Sequence, residues 1–338
     1  MRRLPCRRRE RGRICWPLCG ETGWAPIKGR MRNQGGVILI SRESVAPEWV
    51  VVSEGRQSRP ITGGGRTSCP FCPGPDAEVG SDPFSVAVFD NRFPPFQGRG
   101  GAAVVVYSAD HDDDLAYLPL SRADLVWRVW EAHTLEWGRR ADVAQVFVFE
   151  NRGARVGASI THPHGQIYGY PELSPRLARE RTQFLAPVCP MCRDLAAGRL
   201  ILAVSGWRVM APPVPRMPFE VWLTPASHSP TLVGLGETDR RCGAALMQAV
   251  VRAYDDLFGH RTPLMTALYQ DVDPNATYHW RLDFLPIERA PGRYKFLAAS
   301  EVAMDAFLTD VGPTTTAAAM ADRVRRRFHE AWPSAERG

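Results

Sequence analysis

The segment His162-Pro163-His164-Gly165-Gln166 holds the residue types in this chain best suited to chemistry. Two imidazoles stand two residues apart around a rigid proline. On an extended strand successive side chains alternate between faces, so both rings project to one side. A neutral imidazole is both a metal ligand and a nucleophile near neutral pH. One ring can therefore bind metal while the other meets substrate. Upstream lie Cys69-x-x-Cys72 and His111. A second set has the same order: Cys189-x-x-Cys192, His228, His279. His111 precedes His162 by 51 residues, and His228 precedes His279 by 51. Where no secretory signal is seen, paired cysteines read as metal ligands and not as disulfides.

The elements that would carry these groups also repeat. Apolar runs bounded by Gly and Pro predict strands at Trp49–Val52, Ser85–Phe89, Ala102–Tyr107 and Val143–Glu150, with a helix over Ser121–Arg139. In that helix Ser121 and Asp124 suit the N-cap and first turn, Leu125, Val126, Val129, Trp130 and Leu135 lie near one face, and Trp127, Trp130 and Trp137 read as core. The second half predicts strands at Trp207–Ala211, Phe219–Thr224, Leu264–Tyr269 and His279–Leu285 around a helix at Glu237–Phe258. A surface helix is expected at Thr315–Phe328. Each first His follows a strand and a short loop, and each second His opens a strand motif. We read this as an internal duplication.

Composition bounds the partners. Of 338 residues 44% are apolar and 23% charged, a globular balance. There is no apolar run of 18 residues, so no membrane span is expected. The net charge of +6 is local: residues 1–30 carry nine bases and two acids, while the other 308 carry 33 and 34. The basicity therefore gives no nucleic-acid face. Residues 1–34 are expected to be a disordered basic tail without the h-region of a secretory signal, which points to a cytoplasmic chain. Met31 is an alternative start. Asp112, Asp113 and Asp114 read as a solvated turn.

The run Phe149–Gln166, with His-Pro-His-Gly-Gln at its end, resembles the active-site motif of the galactose-1-phosphate uridylyltransferases, the transferase branch of the histidine-triad superfamily. The resemblance runs from about Pro47 to Arg326. Glu48–Pro60 resembles the family's N-terminal strand with its two arginines, and Asp90-Asn91-Arg92-Phe93-Pro94 its uridine-side loop. Tyr278–Leu282 and Lys295-Phe296 resemble its C-terminal motifs. The resemblance implies an α+β fold of two fused histidine-triad-like halves, 35–175 and 176–332, each an antiparallel sheet with helices packed on it. It also implies a homodimer.

The implied reaction runs through a covalent nucleotidyl-histidine: UDP-glucose and galactose 1-phosphate give glucose 1-phosphate and UDP-galactose in two displacements at one site. By resemblance His164 is the nucleophile, and Gln166 holds the phosphoryl oxygen. Arg56 and Arg59 contact phosphates, Asn91 and Asn151 hold the nucleotide, and Lys295, Phe296 and Glu301 lie on the hexose side. Backbone N–H groups near Gly157 and Ser159 could also receive phosphate charge. Where the family's hexose-side run has Tyr before its Glu, this chain has Ser300 before Glu301.

Cys69, Cys72, His111 and His162 would form a closed tetrahedral zinc site, structural in role, that holds the strand presenting His164. Cys189, Cys192, His228 and His279 would hold a second zinc, as in some relatives. Other relatives carry iron on a Glu and three His. Glu180 matches that Glu, but Asp283 and Leu285 replace two histidines, so no iron is expected. The second copy reads His279-Trp280-Arg281 and lacks a nucleophile. The rival readings are an ADP-glucose-phosphorylase-like or pathway-specific transferase, a hydrolase, and a zinc-held nucleotide-binding module. The plant phosphorylases have Ser where this chain has Gly165, which favours uridylyl transfer.

Overall fold

A computed structural model describes residues 13–15, 37–40, 49–53, 66, 69–96 and 98–332. Strand β1 is Arg13–Cys15, and β2 (Val37–Ile40) and β3 (Trp49–Val52) form a separate antiparallel hairpin. The first half continues with β4 (Ala87–Asp90), β5 (Gly101–Val106), α1 (Leu120–Gly138), β6 (Gln145–Arg152) and β7 (His164–Tyr170). Two short helices follow, α2 (Pro175–Phe184) and α3 (Pro190–Ala197). The second half has β8 (Arg199–Val204), β9 (Trp207–Ala211), β10 (Val221–Pro225), α4 (Glu237–Phe258), β11 (Leu264–Tyr269) and β12 (Arg281–Pro286). The small hairpin β13 (Glu288–Ala290) and β14 (Arg293–Tyr294), then α5 (Ala299–Met304) and α6 (Pro313–Ala331), complete it.

Ten strands make one antiparallel sheet in the order β1-β4-β5-β7-β6-β11-β12-β10-β9-β8. The order is palindromic about the β6–β11 seam. β4, β5, α1, β6 and β7 correspond in turn to β9, β10, α4, β11 and β12, so the duplicated spacing is a duplicated topology. Residues 264–268 of β11 pair with 148–152 of β6, which fuses the halves edge to edge.

The three long helices lie on one face of the sheet, and α2 and α3 pack on the other against Met210 and Trp222. On the long-helix face α1, α4 and α6 cover one core. In α4 every residue from Cys242 to Val251 is buried, as expected of a helix walled in on all sides. A side chain on Gly243 would come within 2.8 Å of Trp127 and 2.7 Å of Trp207. This glycine costs about 1 kcal/mol of helix propensity, yet it lets the tryptophans of the two halves meet. Trp127 lies 5.9 Å from Trp207 and 6.3 Å from Trp280.

Three local expectations change. α1 starts after Pro119 with no side-chain cap, and Leu135 is exposed, because the buried stripe runs through Ala123, Val126, Trp127, Trp130, Thr134 and Trp137. α6 is amphipathic and docked: Thr316, Met320, Val324 and Phe328, four residues apart, are buried. Arg13–Cys15 pair with Ala87–Phe89, which corrects the expectation of disorder for those three residues. The edge of β4 offers unpaired N–H and C=O groups, and this segment takes them. The rest of 1–34 lies outside the described residues.

Candidate active site and metal centres

Strand β7 positions the nucleophile by its period of two. Ile167 enters the helix-side core, so His164, Gln166, Tyr168 and Tyr170 share the other face. Gly165 points back toward Tyr107, where a Cβ would sit 2.1 Å from the phenol oxygen. His164 Nδ1 lies 2.8 Å from the His162 carbonyl. A carbonyl only accepts, so Nδ1 carries the proton and the Nε2 lone pair is the nucleophilic one. Gln166 Oε1 accepts from Asn91 Nδ2 (3.2 Å) and the Tyr168 hydroxyl (3.0 Å). The β6–β7 register, which ends at Glu150↔Gly165, places Asn151 opposite His164 when extended by one residue. Tyr168 escaped the reading of the sequence. Its place in the run His164-x-Gln166-x-Tyr168 was the available signal.

His162 precedes the strand and turns its Nδ1 to Cys69 Sγ (3.7 Å) and Cys72 Sγ (3.5 Å), while His111 Nδ1 lies 3.4 Å from Cys72 Sγ. Zn–S of 2.3 Å and Zn–N of 2.0–2.1 Å give a tetrahedron whose S···N edge is about 3.6 Å. The donor set therefore fits a four-coordinate metal ion. Outer partners fix both rings: His162 Nε2 meets Ser108 O at 2.8 Å and His111 Nε2 meets Thr161 Oγ1 at 3.0 Å, leaving Nδ1 to the metal. Burial and the neighbouring Cys69 push the Cys72 thiol up to about 11. A bound cation would reverse that shift.

The second set repeats the arrangement. His279 Nδ1 lies 3.8 and 3.6 Å from Cys189 and Cys192 Sγ, and its Nε2 is 3.0 Å from Pro225 O, the counterpart of Ser108 O. His228 packs beside the His279 ring, and all four ligand atoms lie within 4.8 Å of one another. Among the described residues these are the two Cys/His groups able to hold a metal ion.

A buried ionic layer lies behind the nucleophile strand. Arg152 binds Asp255 through Nη1 (2.8 Å) and Nη2 (2.7 Å), and Asp114 through Nε (2.9 Å). Asp114 therefore leaves the solvated turn expected of the Asp run; Asp112 stays exposed on Arg66. Glu150, beside Gly165, meets the Tyr107 hydroxyl at 3.4 Å. Burial, then the charge of Asp114, push the Glu150 carboxyl up to about 8 from 4.5. A raised acid holds its proton in the fold longer than in the unfolded chain. Its contribution is full below about pH 4.5 and is lost as pH rises toward 8. Glu150→Gln is expected to flatten that decline, stabilising the protein by on the order of 2 kcal/mol at pH 8 relative to pH 5. Urea unfolding of both proteins across this range checks it; parallel pH curves would discard the assignment.

Other expected contacts fare differently. The Gly157 N–H closes a turn on Ala154 O (3.1 Å), so Gly157 (φ 84°) supplies a left-handed turn and not a phosphate donor. Lys295 Nζ binds Glu301 Oε1 at 2.6 Å and the Leu308 carbonyl, so these two groups hold one another. The Lys295 bond, then the Ala298 N–H, hold the Glu301 carboxyl down at about 2. Phe296 is exposed. Arg56 and Arg59 lie outside the described residues.

Residues 85–174 match the family model for the N-terminal domain of galactose-1-phosphate uridyl transferase. The galactose-1-phosphate uridylyltransferase of Thermotoga maritima is 30% identical over 300 residues, covering 80% of this chain and 93% of the relative. The chain belongs to the galactose-1-phosphate uridylyltransferase family. The Streptomyces lividans uridylyltransferase is 35% identical over 217 residues, about 61% of its length. A solved uridylyltransferase superposes with a TM-score of 0.75 at 25% identity, over 84% of this chain and 97% of that one.

In this family member the second half has no imidazole at the place of His164. Arg281 occupies it, and Asp283 occupies the place of Gln166. Arg281 grips Glu180 at 2.8 and 3.2 Å, pairs with Asp283 at 2.9 Å, and lies between the Trp222 and Tyr269 rings. Burial would raise the Glu180 carboxyl, but Arg281 outweighs it and holds it near 2. Glu180 is thus committed to an ion pair.

Proposed function

We propose that this chain transfers a uridylyl group from UDP-glucose to galactose 1-phosphate through His164. The observation that carries the reading is the His164 Nδ1–H bond to the His162 carbonyl, with the Gln166 amide on the same strand face. His164 Nε2 attacks the α-phosphorus. The bond to the bridging oxygen breaks, and its electron pair leaves with glucose 1-phosphate. The Nδ1 proton stays on the ring, and its hydrogen bond to the His162 carbonyl supports the positive charge that develops there. Galactose 1-phosphate then attacks the same phosphorus and returns the pair to Nε2. Gln166 Nε2–H2 donates to a phosphoryl oxygen, and Asn151 borders the nucleotide. Arg56 and Arg59 bind phosphates, and Ser159, Lys295, Phe296 and Glu301 belong to the substrate cleft.

We assign zinc to both Cys/His groups, as two thiolates and two imidazoles suit that ion. All four positions being protein ligands, it would act on structure, tying the segment before β7 to the loop after β5. The boundary between halves 35–175 and 176–332 falls after the first residue of α2. A homodimer is part of this reading, supported by the exposed apolar run Phe296, Leu297, Val302, Met304 and Leu308. A cytoplasmic location is supported by the need for reduced thiols. A serine at 165, as in the ADP-glucose phosphorylases, would strike Tyr107. The test is product analysis. UDP-glucose with galactose 1-phosphate should give glucose 1-phosphate and UDP-galactose in equal amounts. Turnover only with inorganic phosphate would make the chain a phosphorylase, UMP release a hydrolase, and binding without turnover a nucleotide-binding module.

A further inference from the structure

We propose that Tyr168 is a positioning residue: together with Asn91 it sets which end of the Gln166 amide faces the transferred phosphoryl group. The inference rests on the uridylyl-transfer reading and names a residue that reading does not need. A glutamine amide has two ends of nearly equal shape and opposite polarity. Presented by its NH2 end it donates to a phosphoryl oxygen; presented by its oxygen it repels one. The side chain itself does not choose between them.

The choice is traceable to the backbone. The Phe93 N–H can only donate, and it meets Asn91 Oδ1 at 2.9 Å. That bond makes Oδ1 the accepting end of Asn91 and leaves Nδ2 to donate to Gln166 at 3.2 Å. The acceptor there must be Oε1. The Tyr168 hydroxyl donates to the same oxygen at 3.0 Å. A reversed Gln166 would set its own NH2 against the Asn91 NH2; Asn91 therefore chooses the end, and the phenol, which can donate or accept, secures it there by donating to Oε1. Burying such a mismatched pair costs about 1–3 kcal/mol. The phenol is held in place by edge contacts of its ring with Phe149 (4.9 Å) and Phe96 (6.1 Å). Tyr168 is buried and lies two residues beyond Gln166 on β7, so the strand's own alternation brings its hydroxyl to the amide.

Tyr168→Phe removes one oxygen and keeps the ring and its packing. The expected result is a fall of about tenfold in kcat for UDP-galactose formation, with KM for UDP-glucose changed less than twofold and the melting temperature held. The amide matters most to the group in transit, and rate should report it more than binding does. The deciding measurement is the same substitution in a Gln166→Ala background. There it should have no further effect on kcat, since no amide remains to orient. An equal loss in both backgrounds would make the tyrosine a packing residue, and no loss in the parent protein would also overturn the proposal. Absence of UDP-galactose formation by the unmodified chain would instead sink the underlying reading.

Discussion

Mixed with UDP-glucose alone, the protein is expected to gain the mass of one uridylyl group, mapped to His164, and to release an equal amount of glucose 1-phosphate. His164→Ala is expected to lose turnover by about 10⁴-fold or more while keeping its metal, its fold and its affinity for UDP-glucose. The geometry separates these outcomes. His164 takes no part in either Cys/His group, and its contact with the His162 carbonyl uses the main chain of that residue and not its ring. Replacing His164 therefore leaves the donor atoms of His162 where they are. Glucose 1-phosphate that appears only when both sugar substrates are present, with no adduct trapped, would mean a direct displacement and remove the covalent route.

The largest effect on stability is expected at the first metal centre. Purified protein should carry two zinc ions per chain and no iron. His162→Ala should lose one of the two, unfold at a markedly lower temperature, and lose turnover as well. Structural zinc contributes roughly 10–16 kcal/mol to small peptides. Here Ser108 O and Thr161 Oγ1 already orient the two imidazoles, so several kcal/mol is the expected loss. Cys192→Ala should remove the other ion and leave uridylylation of His164 measurable, because β12 and not β7 follows that centre. Elemental analysis with thermal unfolding decides both. Full zinc content in His162→Ala would reassign the ligand, and stoichiometric iron would contradict the reading of Asp283 and Leu285.

Much of the fold was legible because it is periodic. The bounds Trp207–Ala211, Glu237–Phe258 and Leu264–Tyr269 coincide with β9, α4 and β11, where an apolar pattern ends at a turn residue. The two Cys/His groups were legible because ligand types are rare and their spacing repeats. What was not legible depends on partners far along the chain. Asp114 follows the exposed Asp112 and the half-buried Asp113, and looks solvated until Arg152 comes from β6 to meet it. The Gly157 N–H could serve a phosphate until Ala154 claims it. Lys295 and Glu301 are six residues apart, a spacing that did not disclose their pairing, because α5 and its flanking turns bring them together. The docking of α6 depends on α4 offering it an apolar flank, which no local window contains.

The palindromic sheet also has a cost during synthesis. β6 takes β7 on one side soon after both emerge, but its other side waits for β11. Arg152 must wait for Leu264, about 110 residues later. At 5–20 residues per second the ribosome leaves that edge uncovered for on the order of ten seconds. The waiting strand contains Val146-Phe147-Val148-Phe149, an apolar β-prone run of the kind that recruits other nascent chains. The seam that joins the two halves in the finished molecule is therefore where a ribosome-bound chain is most exposed to aggregation, and where a chaperone would have its clearest target.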